Sequence, residues 1–256
     1  MIDPRAIVDP GARLGDKISI GAFSIIEADV EIGDGTWIGP HVIVRSGTRI
    51  GRNNRFFQFG SIGEDPQDKK YAGEPTRLEI GDGNTFRESC TLNRGTAQDQ
   101  GVTRIGNDNW LMAYTHVAHD CRIGNETVLA NNATLAGHVH VGDYAILGGF
   151  AGVHQFCRIG THSFIGNNCG ITRDVPPYVL VGGPPSAPRG INSEGLRRRG
   201  FTPEQLRNIR NAYRVVYRSE LRLEEALARL SEVLDAQPEL VPFVEFLKNS
   251  KRSIIR

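Results

Sequence analysis

The chain has 256 residues, enough to bury a sizeable core as one large domain or two smaller ones without disulfide staples. Its 30 Lys and Arg against 29 Asp and Glu leave no overall charge to draw it to nucleic acid or to an anionic membrane, so an anionic ligand must meet a local basic patch. The MIDPRAIVDPGARLG start lacks a basic segment followed by an apolar one, and no apolar run reaches the roughly eighteen residues of a membrane span, which predicts a soluble, cytoplasmic protein without membrane insertion.

Counting in sixes from Ile2 meets an aliphatic or aromatic residue every time: Val8, Leu14, Ile20 and so on through Phe56 and Ile62. Residues 63 to 79, GEDPQDKKYAGEPTRLE, interrupt the count, which resumes in phase at Ile80, Phe86 and Leu92. A second interruption, roughly 93 to 104, shifts it by one residue, and twelve consecutive markers then run from Ile105 to Ile171. A period of six fits neither a helix nor a hairpin meander, but it suits a solenoid of short strands with a corner every six residues and three hexads to a coil. Glycine often follows the marker, as at Gly15, Gly21 and Gly33, where a tight corner is expected. The two interruptions are excursions from the prism, either tolerated insertions or carriers of function.

After DVPPYVLVGGPPSAPRG the hexads stop, which places a boundary between a solenoid at 1–190 and a helical unit at 191–256. PEQLRNIRNAYRVVYRS opens with Thr202 before Pro203 and repeats apolar residues at helical spacing, and LRLEEALARLSEVLDA and PELVPFVEFLKN predict two further helices. EGLRRRGF holds the densest cationic patch, with Arg197, Arg198 and Arg199; a solvated helix face or a phosphate site would each explain it.

All four cysteines, Cys90, Cys121, Cys157 and Cys169, fall four residues after a marker, in a slot otherwise held by residues such as Thr115, Ala133 and Ser163. They are read as core filling, since buried structural thiols are inert. No histidine occupies an inward slot. His41 and His162 are read as ordinary surface residues. Positions 18 apart stack on adjacent coils at about 4.8 Å, so His119 projects to position 137, beside His138, and then to Gln155, beside His154. With His116 these side chains form a polar ridge along one edge.

QDKKYAGEPTR (67 to 77), THVAHDC (115 to 121), LANNATLAGHV (129 to 139), VHQFCRIG (153 to 160), DVPPYV (174 to 179) and EGLRRRGF (194 to 201) together resemble the UDP-N-acetylglucosamine O-acyltransferase family, which opens lipid A synthesis in Gram-negative bacteria. The resemblance spans nearly the whole chain. It implies a mainly β fold, a left-handed parallel β-helix of hexapeptide repeats followed by a small C-terminal α-helical domain. It further implies a homotrimer with active sites at subunit boundaries, which moves a 3-hydroxyacyl chain from acyl carrier protein to the 3-position of the UDP-sugar. No cofactor or metal is implied, because the donor arrives as an activated thioester.

Carried over residue by residue, the resemblance makes His119 the general base, Asp120 its neighbouring carboxylate, and the Gly137 N–H the donor to the oxyanion. Near-neutral imidazole suits the proton transfer. Asp68, Lys70, His116, His138, His154 and Gln155 match substrate-contact positions, and Asn192, Glu194, Arg198 and Arg199 match positions that meet the nucleotide. The basic tail is also where an acidic carrier protein would dock. Two positions depart from the family pattern. Asn93 stands in LNRGT where a histidine is usual, which leaves N-acyltransfer to a 3-amino sugar as an alternative. Asn167 replaces a glycine that accommodates long chains, which predicts a preference for 10 or 12 carbons. On the histidines alone a carbonic-anhydrase-like zinc site is the rival class, and a non-catalytic scaffold a second.

Overall fold

The computed structural model describes residues 1–256. Three sheets of nine, eight and ten strands, parallel except for the last strand of the third, form the walls of a prism, a left-handed β-helix. Most rungs are two residues long, and residues 18 apart pair directly, as Ile26 does with Val44. The first excursion lengthens its coil, since Ile62 pairs with Leu92, and the second does so less, since Leu92 pairs with Val117. Coils of 30 and 25 residues exceed 18 by two hexads and by one hexad plus one residue, which is why the count keeps phase after the first and slips after the second.

The excursions are narrower than the broken periodicity suggests. Strands Ser61–Glu64, Arg77–Ile80, Thr91–Asn93 and Val102–Ile105 claim their ends, leaving 65–76 and 94–101. The reason is pairing: Arg77 and Leu78 lie against Val102 and Thr103, extending the rungs outwards. Both excursions leave at the corner between the wall of Ile62, Leu92 and Val117 and the wall of Ile80, Ile105 and Ile123. This is the corner that carries His119.

The markers are buried from Ile20 to Ile171, stacked in files such as Phe56 on Phe86 with ring centroids 4.7 Å apart. Ile2, on the first coil, is exposed. The second inward slot contains more than small residues. Asn54, Asn84 and Asn109 are buried there in a ladder, Nδ2 of each later amide donating to Oδ1 of the one before at 3.0 and 2.9 Å, with Thr127 closing it at 2.7 Å. Each amide also donates to a backbone carbonyl, so burial leaves no polar group orphaned.

The glycines after the markers are needed for a different reason than the one expected. Gly21 has no left-handed backbone; a Cβ there would lie 2.5 Å from the Pro40 nitrogen of the next coil, so closeness between coils selects glycine. Left-handed corners fall two residues later, mostly on residues with side chains, among them Phe23, Asp120, His138 and Phe156.

The last wall strand, Val179–Gly182, pairs antiparallel with Ala187–Ile191, and four helices follow. Helix α1 (Ser193–Arg198) is short. Helix α2 (Pro203–Tyr217) begins in a capping box between Thr202 and Gln205 and buries Leu206, Ile209, Tyr213 and Val216 on one stripe. Helix α3 (Leu223–Ser231) stops well before the expected Ala236; Glu232 and Asp235 place negative charge where the helix dipole is already negative. Helix α4 (Val241–Lys248) follows one 3₁₀ turn at Pro238–Leu240, because Pro242 has no N–H to continue an α-helix from Pro238. The chain end returns to the prism, where the Ile255 N–H donates to the Asp174 carbonyl at 2.8 Å. No helix is long and apolar enough to cross a membrane.

Candidate active site

His119 lies two residues beyond the buried marker Val117, at the corner where both excursions emerge, and is only 5% exposed. The next coil covers it: a Cβ at Gly137 would sit 2.5 Å from His119 Cε1 and 2.7 Å from Nε2. Glycine is therefore required at 137, and the required approach is to the imidazole itself. The Gly137 N–H donates to no acceptor in the chain.

Sequence adjacency leaves open whether Asp120 reaches His119; the left-handed corner at Asp120 (φ 59°) settles it. Asp120 Oδ2 accepts from His119 Nδ1 at 2.8 Å. The carboxylate also accepts from the Thr96 N–H at 2.9 Å and the Thr96 hydroxyl at 2.6 Å. Burial pushes this carboxyl up, but the bonds from His119 and Thr96 and the nearby His138 outweigh it and hold it below the ordinary range. An ionised Asp120 fixes the tautomer of His119, leaving Nε2 free to accept a proton.

One coil above, His138 packs edge-on to His119 with centroids 5.1 Å apart and lies flat on Phe156 at 4.4 Å. His116 Nδ1 bonds the Thr91 hydroxyl at 2.7 Å; burial, then His119, lowers its pKa. His154 and Gln155 continue the edge, with the Gln155 carbonyl accepting from Arg252 at 2.6 Å. The ridge drawn from the 18-residue count is thus assembled within one chain.

Other predicted residues lie elsewhere. Asp68 accepts from the Lys70 N–H at 3.0 Å in the exposed turn of the 65–76 loop. Asn192 caps α1, its Oδ1 accepting from the Gly195 N–H at 3.1 Å and its Nδ2 donating to the His162 carbonyl at 3.0 Å. Glu194 pairs with Arg197 and Arg198 at 2.6 and 3.1 Å, while Arg199 pairs with Glu126 and lies over the Tyr144 ring at 4.4 Å. These tail residues stand by the Tyr144–His162 edge, not the His119 edge. His162 departs from its surface reading, being half-buried between Tyr144 and Tyr178.

Asn93 is buried and ties down the long loop, donating to the Asp65 carbonyl at 2.9 Å. Asn167 is exposed, and its Oδ1 accepts from the Gly149 N–H at 3.0 Å. The same side-chain-to-backbone bond joins Asp34 to Asp16 and Asp143 to Asn125, so it is a corner motif of the solenoid. All four cysteines are free and buried, and burial pushes Cys121 up to about 12, as core filling requires. Thr96, Asp99 and Phe156 also shape the site. Sequence reasoning missed the first two because the hexad register says nothing about an excursion, although Phe156 stands one coil above His138 in that register.

His119, Asp120 and His138 place potential ligand atoms within 4.8 Å of one another. A zinc site needs lone pairs turned to a common point, whereas His119 Nδ1 and Asp120 Oδ2 face each other as donor and acceptor. The arrangement suits proton transfer.

Residues 103–137 and 138–173 match the bacterial transferase hexapeptide family (six repeats), and residues 174–255 match the family described as UDP N-acetylglucosamine O-acyltransferase, domain 2. The acyl-[acyl-carrier-protein]–UDP-N-acetylglucosamine O-acyltransferase of Halorhodospira halophila is 57% identical over 255 residues, covering 100% of this chain and 99% of its own. The structure of LpxA from Acinetobacter baumannii is 46% identical with a TM-score of 0.97, covering 100% and 99%. That of LpxA, a UDP-N-acetylglucosamine acyltransferase from Bacteroides fragilis, is 43% identical with a TM-score of 0.98, covering 100% of both chains. Similarity of this extent along the whole length, solenoid and helical tail together, shows that the chain belongs to the UDP-N-acetylglucosamine O-acyltransferase family.

Proposed function

We infer that the chain transfers a 3-hydroxyacyl group from acyl carrier protein to the 3-hydroxyl of UDP-N-acetylglucosamine, the first step of lipid A synthesis. The observation that carries the reading is the buried His119–Asp120 dyad beneath the unengaged Gly137 N–H. His119 Nε2 takes the proton of the sugar hydroxyl as that oxygen attacks the thioester carbonyl. The Gly137 N–H donates to the oxyanion of the tetrahedral intermediate. Collapse breaks the C–S bond, and the imidazolium returns its proton to the departing thiolate. Asp120 keeps the ring oriented and stabilises its charged form.

The chain acts as a homotrimer in this reading. Phe23, Phe59, Tyr114 and Phe150 are exposed at alternate turns of one corner, with His41, Ser89 and Asn132 between them, an aromatic edge that a neighbouring prism would cover. Asp68 and Lys70 in the loop, with Asn192, Glu194, Arg198 and Arg199 on another edge, reach a sugar nucleotide at His119 only if neighbours share the site. The units 1–190 and 191–256 then have separate tasks, chemistry on the solenoid and nucleotide and carrier contacts on the tail, in the cytoplasm. Mass spectrometry of the product after incubation with 3-hydroxyacyl carrier thioesters and either UDP-N-acetylglucosamine or its 3-amino analogue tests the reading. The O-acyl ester is expected; turnover of the amino sugar alone would transfer the assignment to amide formation.

A further inference from the structure

The His119–Asp120 pair has a counterpart one coil above. His138 Nδ1 faces Asp99 Oδ2 at 3.0 Å, and Asp99 belongs to the 94–101 loop, outside the hexad register. A carboxylate in contact with Nδ1 makes that nitrogen the donor, so Nε2 is left as the ring's free nitrogen. Phe156, flat against the ring at 4.4 Å, limits its rotation. Held on both counts, His138 turns Nε2 inwards, 3.7 Å from Asp120 Oδ2 and beside the His119 ring. The distance to Asp120 is too long for a hydrogen bond, so Nε2 has no partner in the chain.

We propose that Asp99 is a positioning residue, which fixes the tautomer and rotation of His138 so that Nε2 accepts a hydrogen bond from a substrate hydroxyl or amide beside His119. The proposal rests on the acyl-transfer reading of this site. Asp99 is not what holds the loop in place. Thr96 does that through its two bonds to buried Asp120, and the Asp99 and Gly101 N–H groups both donate to the Thr96 carbonyl, at 3.2 and 3.1 Å. Removing the Asp99 carboxylate therefore frees one imidazole and leaves its surroundings standing.

Two measurements on the full-length protein test this. In the first, nitrogen-15 NMR of the histidine rings, with His138→Gln used to assign the signal, reads the tautomer without reference to activity. His138 is expected as the Nδ1–H form in the unmodified protein and as a mixture, or the Nε2–H form, in Asp99→Ala; an unchanged His138 signal would overturn the proposal. In the second, a double-mutant cycle in kcat/KM compares Asp99→Ala, His138→Ala and the pair. Asp99→Ala should lose about tenfold, Asp99→Asn should recover part of it through its amide oxygen, and the double variant should be no worse than His138→Ala. Additive losses would show that Asp99 acts elsewhere and reject the proposal. Absence of turnover in the unmodified protein with thioester and UDP-N-acetylglucosamine would instead strike the functional reading, and leave the NMR outcome to decide the role of Asp99.

Discussion

Replacing His162 should reveal a stability that vanishes in mild acid. Its ring is half-buried, stacked on Tyr144 at 4.5 Å and Tyr178 at 5.9 Å with Phe201 edge-on at 5.2 Å. Burial, and next the Arg199 guanidinium, push its pKa down from 6.5 to about 4, against a smaller pull from Asp143 and Glu126. The folded value lies below the unfolded one, so between the two the unfolded chain binds a proton that the folded chain refuses. The stabilisation is therefore complete above 6.5 and is lost as pH falls towards about 4. From about pH 7.5 to about pH 5 the loss works out at about 2 kcal/mol per protomer, from 1.36 kcal/mol for each pH interval. His162→Phe keeps the aromatic stack and removes the titration. Urea unfolding followed by circular dichroism, at both pH values and on both proteins, isolates the effect, because His116, His140 and the carboxylates are common to the two. The unmodified protein should lose about 2 kcal/mol more than the variant. Parallel losses would refute the argument that burial keeps this imidazole neutral.

Gly137→Ala places a methyl 2.5 Å from His119 Cε1 and must displace the ring, so kcat should fall about a hundredfold with little change in thermal midpoint; near-normal turnover would disprove the stacking role. His119→Ala and Lys70→Ala should each lose at least about a hundredfold when prepared alone, yet regain part of the activity when co-refolded; no recovery in the mixture would sink a site shared between neighbours. In Asn167→Gly the Gly149 N–H loses its acceptor, at about 1 kcal/mol, and kcat/KM across 10-, 12- and 14-carbon donors should shift towards the longest. A stability loss with an unchanged donor profile would confine Asn167 to its corner bond.

The hexad count made the solenoid legible because period and burial are the same fact here. Each marker from Ile20 to Ile171 points inwards, and outside the excursions residues 18 apart pair across coils as far as Ile171, after which the last coil closes at a spacing of 16, Ile165 on Val181. That register also predicts His119, Gly137 and Gln155 in one file, since a rigid repeat converts sequence separation into distance. It could not reveal why glycine follows the marker. A glycine chosen for a left-handed turn and one chosen for closeness to the next backbone look alike in sequence, and only the 2.5 Å clash at Gly21 distinguishes them. The Asn54–Asn84–Asn109 ladder was hidden for a related reason. A buried amide is costly alone and tolerable when stacked on another, so its acceptability depends on two coils at once.

The excursions mark where local reasoning fails, and they are where the site is completed. Thr96 lies 24 residues from Asp120, and Asp99 39 residues from His138, separations unrelated to 18. Their contacts arise because both loops leave the prism at the corner that carries His119, where the buried bonds of Thr96 to Asp120 fasten the loop to the rigid coil and bring Asp99 to His138. The consequence is a division of labour. The repeat sets the spacing between His119, His138 and Gly137, whereas the loop supplies carboxylate and hydroxyl partners that set tautomer and charge. A repeat protein can thus alter its chemistry by changing an excursion without disturbing the file of side chains on which catalysis depends. The same logic applies to the tail. Arg199 on Glu126 and Tyr144 anchors α1 to an edge that has no catalytic residue of its own. In the trimer proposed above, basic side chains there would meet a substrate held by a neighbouring prism, which would make assembly a condition for completing the site.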